Sequence, residues 1–159
     1  MSSESADLHP DNLRSESIPL YSTVINVRWG DMDAMGHVNN TVYFRYCEQA
    51  RMEWFGNLDL TASDNPSSQI VIINAFCEFL LPVVYPCTLL VEMSASSPGK
   101  TSFMSHYTIS EQLSPEHQSG GQRGKIYSNA QAKIVWVNAD GNKSVPMPDT
   151  VRAMFASGG

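Results

Sequence analysis

The chain has 159 residues, 42% of them hydrophobic and 16% charged, and a formal net charge of −6. Those proportions exclude a disordered or fibrous chain, and the length suits one domain with a core of its own. The negative balance speaks against a nucleic-acid binder, which needs a basic face.

Residues 1–18 are rich in Ser and acidic side chains and have nothing to bury. They are expected to be a disordered tail, with a single domain over 19–159. The tail has neither the apolar run of a secretory leader nor the basic character of a transit peptide. The first periodic segment, "YSTVINVRW", sets Tyr21, Thr23, Ile25, Val27 and Trp29 against Ser22, Val24, Asn26 and Arg28, a period of two that predicts a strand. After a polar turn comes "NNTVYFRYCEQARMEWFGNL", free of Pro and spaced for a helix. Tyr43, Tyr46, Cys47, Ala50 and Trp54 form one stripe, with Phe44, Arg51 and Phe55 beside it. Asn39 or Asn40 is expected to cap its start, and Gly56 to end it in the left-handed conformation. So broad an apolar face predicts a helix wrapped by other structure.

Every later periodic segment is extended, apart from a short terminal helix in "PDTVRAMF". "QIVIINAFCEFLLP", apolar on both faces, predicts a central strand. "CTLLVEMSAS" and "TSFMSHYTIS" flank the turn "SPGK" as a hairpin. "GKIYSNAQAKIVWVN" alternates with the small residues Ala130 and Ala132 on one face, which leaves room for the helix. "EQLSPEHQSGGQRG", before that last strand, predicts a long loop. The expected class is α+β: a curved antiparallel sheet around one long helix, with open strand edges that favour a homodimer.

Cys47, Cys77 and Cys87 are odd in number and form no C-x-x-C, so neither a zinc site nor a disulfide framework is indicated. The longest uncharged apolar stretch, "FLLPVVYPCTLLV", is too short to span a membrane and carries two prolines. A reducing, cytoplasmic setting is expected, with no membrane partner.

The chemistry concentrates in "VRWGDMDAMGHVNNTVYF", residues 27–44, where Asp31, Asp33, His37, Asn39 and Asn40 sit between apolar flanks. Asp33 has two readings: a turn former that bonds its own backbone, or a catalytic carboxylate. Asp31 suits capping the turn or pairing with Arg28. His37 is of the one residue type whose ordinary pKa lies near neutrality, so it can serve as a base, or it can position its neighbours by hydrogen bonding. Asn39 is a helix cap that can also orient water. Three loosely spaced ligands, Asp31, Asp33 and His37, are a poor basis for a metal site. Cys47, mid-helix among apolar neighbours, lacks the setting of a nucleophile. "GKT" at 99–101 lacks the leading glycine of a phosphate loop, and no G-x-S-x-G elbow is present.

The element order and "RWGDMDAMGHVNNTVYFRYCEQAR" resemble the hotdog-fold thioesterases of the 4-hydroxybenzoyl-CoA thioesterase type, from about residue 20 to 155. The resemblance implies hydrolysis of an acyl-CoA to a carboxylic acid and coenzyme A, without a cofactor, by a homodimer or a dimer of dimers. It implies that Asp33 is the catalytic carboxylate, as general base or as nucleophile, and that backbone N–H groups near Asn40 and Thr41 hold the thioester oxygen. Catalytic support from His37 and Asn39 is expected beside it. Tyr43 near the helix start can touch substrate, and Lys100, Arg123 and Lys125 can meet coenzyme A phosphates. His-Val-Asn-Asn is not found in the hydroxybenzoyl-specific enzymes, and "FLLPVVYP" departs from relatives with Arg and Gly-Asp there, so the rim of the site differs. Two other readings share the fold. Enoyl-CoA hydratases pair Asp and His with an intervening Asn that Asp33-Ala-Met-Gly-His37 lacks. A non-enzymatic acyl-binding dimer is the other.

Overall fold

The computed structural model describes residues 16–61, 65–114 and 124–157. The expected tail therefore falls largely outside the described residues, as does most of the loop before the last strand. Five strands, β1 (Ile18–Asn26), β2 (Ser68–Phe79), β3 (Thr88–Ser96), β4 (Ser102–Glu111) and β5 (Ile126–Asn138), form one sheet in the order β1-β3-β4-β5-β2. Every pairing is antiparallel. The long helix α1 (Asn40–Asn57) links β1 to β2 and so joins the two edges of the sheet across one face. The short helix α2 (Asp149–Ala156) ends the described chain. This is the α+β arrangement of one helix against an antiparallel sheet that the sequence implies.

The strand alternation decides what meets the helix. Val91 and Met93 of β3, Tyr107 and Ile109 of β4, and Ala130, Ala132 and Ile134 of β5 are buried on the inner face. Against them α1 buries Tyr43, Tyr46, Cys47, Ala50, Arg51, Trp54 and Phe55. Each large apolar side chain removed from water contributes roughly 1.5–3 kcal/mol, so this face holds the helix in place. The far end is filled by aromatic rings: Trp54 packs on Phe55 at 4.8 Å, Phe103 on Trp136 at 5.7 Å and Phe103 on Phe155 at 5.6 Å.

Three expectations need correction. The segment read as a central strand is β2, an edge strand, with Ile73 and Phe76 58% and 56% exposed. Apolarity on both faces signals a surface that wants cover, not a place in the strand order. Gly56 lies inside α1; the positive φ falls at Asp59, after the helix has run through Asn57. Trp29, read as the end of β1, lies in a 3-10 turn over Trp29–Asp31 and is 76% exposed. Among the described residues, no helix is long and apolar enough to cross a membrane.

Candidate functional site

The polar segment after β1 folds into two linked turns. In the first, Asp31 is the organising group: its Oδ2 accepts the Arg28 backbone N–H at 2.9 Å and the Tyr46 hydroxyl at 2.8 Å. Burial, and then this bond to a carboxylate, push the Tyr46 phenol well above its ordinary value. The second turn is a small hairpin in which Met32 bridges Val38 and the Asp33 N–H meets the His37 carbonyl at 2.9 Å. Gly36, at φ +79°, supplies the left-handed residue that closes this loop. The stretch before β3 clamps both turns: the Val27 N–H bonds the Cys87 carbonyl, and the Val38 N–H bonds the Val83 carbonyl at 2.8 Å.

Asp33 carries both of its sequence readings at once. Oδ1 accepts the Met35 N–H at 2.9 Å, as a turn former does. Oδ2 has no hydrogen-bond partner among the described residues, and the side chain is only half-buried. One oxygen therefore fixes the carboxylate while the other stays available for chemistry. The His37 ring is exposed and makes no hydrogen bond to a described residue; its carbonyl, not its imidazole, ties it to Asp33.

Asn39 caps the helix, its Oδ1 accepting the Thr41 N–H at 2.9 Å and the Thr41 hydroxyl at 2.7 Å. The Asn39 carbonyl accepts the Val42 N–H. Of the two donors expected at the helix start, the Thr41 N–H is thus committed to the cap, and the Asn40 N–H has no partner among the described residues. A free N–H at a helix start carries the positive end of the helix dipole.

From Thr41 a groove of about 460 Å³ runs beneath α1. Thr41, Phe44, Glu48 and Arg51, at helical spacing, form one wall; Ile72 and Ala75 of β2, Tyr107, Ala130 and Ala132 form the other. Ala130 and Ala132 leave the space that larger residues would fill. Asp33 is not among the residues that line this groove. Tyr43 is a core residue: its hydroxyl accepts the Val83 N–H at 3.3 Å and its ring meets Phe79 edge-on at 5.0 Å. Burial raises its phenol above the ordinary value.

The remaining expected residues are scattered. Lys100 occupies the turn between β3 and β4, at the far end of the sheet from Asp33. The nine residues of β3 put about 30 Å of strand between them. Arg123 lies outside the described residues. Lys125, just before β5, is at the same end of the sheet as Asp33, its carbonyl accepting the Glu111 N–H. Sequence reasoning missed Tyr46 as the anchor of Asp31, and Arg51 as a groove residue. An arginine inside an apolar helical stripe was the available signal for the second. Among the described residues, no group of three or more His, Cys, Asp or Glu side chains is arranged to hold a metal ion.

Known proteins resemble this chain in sequence and in fold. YsmA of Bacillus subtilis is 30% identical over 92 residues, covering 58% of this chain and 61% of YsmA, so the chain spans about three fifths of that relative's length. The PA2801 protein of Pseudomonas aeruginosa, a candidate thioesterase, superposes with a TM-score of 0.72 at 37% identity, over 86% of this chain and 98% of that one. Slr0204, a 1,4-dihydroxy-2-naphthoyl-CoA thioesterase from Synechocystis, superposes with a TM-score of 0.72 over 86% and 95% of the two chains; at 19% identity that likeness is one of fold. Over residues 27–155, from the clamped turn through the capped helix to the sheet, the sequence matches the thioesterase-like superfamily, and the chain belongs to that family.

Proposed function

We propose that this protein is an acyl-CoA thioesterase, which hydrolyses an acyl-CoA to a carboxylic acid and coenzyme A. The observation that carries the reading is that one short segment, residues 33–40, holds both a carboxylate with one free oxygen and a helix start with one free donor. The thioester carbonyl oxygen accepts the Asn40 N–H, so the negative charge that develops on it meets the positive end of α1. Asp33 Oδ2 then either takes a proton from water as the water attacks the carbonyl carbon, or attacks that carbon itself. In the first course the C–S bond breaks, coenzyme A leaves as thiolate and the proton held by Asp33 passes to sulfur. In the second, the C–S bond breaks as the mixed anhydride forms and coenzyme A leaves as thiolate; water then hydrolyses the anhydride, restores the Asp33 carboxylate and supplies the proton that the thiolate takes up. A single turnover in ¹⁸O-labelled water separates the two, because only the second can leave the label in Asp33.

The supporting roles follow from the contacts. Asn39 holds the helix start in shape, and His37 sets the hairpin through its carbonyl. The acyl group occupies the groove under α1, while the coenzyme A moiety lies toward Lys125. No cofactor or metal is needed for this chemistry. We place the protein in the cytoplasm, where its free cysteines suit a reducing environment.

The working form is a homodimer joined along β2. An exposed edge strand of twelve residues, with Ile73 and Phe76 bare, supports this reading, since such an edge invites pairing with another chain. A partner there also adjoins the groove at Ile72 and Ala75. The test is a panel of aliphatic and aromatic acyl-CoA thioesters with detection of the released thiol. Turnover on at least one class is expected. A flat panel with intact acyl-CoA binding favours a non-enzymatic acyl-binding dimer, and in a separate assay on a trans-enoyl-CoA, loss of ultraviolet absorbance without thiol release favours a hydratase.

A further inference from the structure

Arg51 is the odd residue in the groove. It is 8% exposed, and its Nη1 donates to the Tyr107 hydroxyl at 3.1 Å with the guanidinium carbon 6.0 Å from the Tyr107 ring centroid. No carboxylate lies within ion-pair distance of it among the described residues. Glu48, three residues before Arg51 and lining the same groove, is engaged by Arg45 at 2.8 Å. A buried cation with one neutral partner and an aromatic ring is costly unless an anion joins it.

Its position says which anion. Thr41 and Arg51 line the same groove, whose walls between them are mainly apolar. Arg51 lies about 16 Å along α1 from Asn40, and its side chain leans back toward the helix start. One turn beyond, Trp54 and Phe55 close the interior with their rings. An acyl chain whose carbonyl sits at Asn40 thus runs past Phe44 and ends against a guanidinium. A plain methyl end gains nothing there, whereas a carboxylate meets a fork of donors suited to it.

We propose that Arg51 reads the far end of the acyl group, and that the preferred substrates are medium-length acyl-CoAs ending in a carboxylate. This rests on the thioesterase reading above. The test compares adipoyl-, suberoyl- and sebacoyl-CoA with hexanoyl-, octanoyl- and decanoyl-CoA on the full chain. The expected result is a kcat/KM preference of about tenfold or more for the carboxylate-ended member of at least one pair, the ratio that one charge-assisted contact supports. Arg51→Gln should abolish that preference, and Arg51→Lys, which keeps the charge but not the fork, should retain part of it.

Equal turnover within every pair overturns the proposal, as does a preference that Arg51→Gln leaves unchanged. If the variant keeps the preference but becomes monomeric by light scattering, Arg51 serves a subunit contact and the proposal also falls. Calorimetric binding of the same pairs to Asp33→Asn protein removes the dependence on turnover. Tighter binding of the carboxylate-ended member, with no hydrolysis by the unaltered protein, supports the Arg51 assignment while ending the hydrolase reading. Equal binding overturns the assignment whatever the activity.

Discussion

The side-chain oxygen of Asn39 holds two groups of Thr41 at once, the backbone N–H at 2.9 Å and the hydroxyl at 2.7 Å. This doubles the usual cap and leaves the preceding Asn40 N–H as the free donor. Asn39→Ala should cost about 1 kcal/mol of stability, within the range for lost helix caps, and lower Tm by a few degrees. It should also lower kcat more than it raises KM, because the Asn40 donor loses its fixed direction. Asn39→Asp, which still accepts from Thr41, should recover most of the stability. Thermal melts and steady-state kinetics on the two variants check this.

Tyr46 reaches from the helix to Asp31 and so ties the turn that follows β1 to the core. Tyr46→Phe keeps the ring and removes only the hydroxyl. Since the lost bond is to a carboxylate, the expected cost is about 1.5–3 kcal/mol. Hydrogen exchange should speed up at the backbone amides between Arg28 and Asn39, and denaturant melts give the stability change.

Alkaline pH should destabilise the protein through neutral groups that are buried, as Cys47 is, or partly buried, as Tyr127 is. Burial pushes the Cys47 thiol up to about 12, and burial followed by the Cys87 contact pushes the Tyr127 phenol up to about 12. Both groups are acids with raised values in the folded state, so the stability linked to them is whole below their unfolded values. It is lost as pH climbs from about 8.5 for the thiol, and about 10 for the phenol, toward 12. Tm should therefore stay flat up to about pH 8.5 and fall above it, and Cys47→Ala should shallow the first part of that fall. A pH series of thermal melts on both proteins measures the difference.

Charge on β2 should break the proposed dimer. Ile73→Lys and Phe76→Glu replace exposed apolar side chains at positions the single chain does not cover. Light scattering should show a dimer becoming a monomer, with far-ultraviolet circular dichroism unchanged. Activity should fall with the dimer, since Ile72 and Ala75 of the same strand wall the groove.

What the sequence made legible was local. Asn39 as cap, the turn around Asp33 and the small residues of β5 all follow from a side chain's reach to its own neighbourhood. Strand order did not follow. Period two says which way a side chain faces, not which strands adjoin, so β2 was read as central although it is an edge. For the same reason the sequence does not show that Lys100, a candidate contact for coenzyme A phosphates, lies at the end of the sheet opposite Asp33. The bonds from Tyr46 to Asp31 and from Arg51 to Tyr107 were hidden because each joins residues distant in the chain, on elements whose register only the fold sets.

The central claim is that one carboxylate oxygen, held ready on a clamped turn, performs the hydrolysis. Asp33→Asn tests it most directly, because the amide keeps an oxygen for the Met35 N–H and so preserves the turn, while removing the charge. On whichever acyl-CoA the unaltered protein hydrolyses fastest, the variant should show an unchanged melt and a kcat lowered by at least about a hundredfold. A variant that folds normally and releases coenzyme A at the original rate would contradict the account.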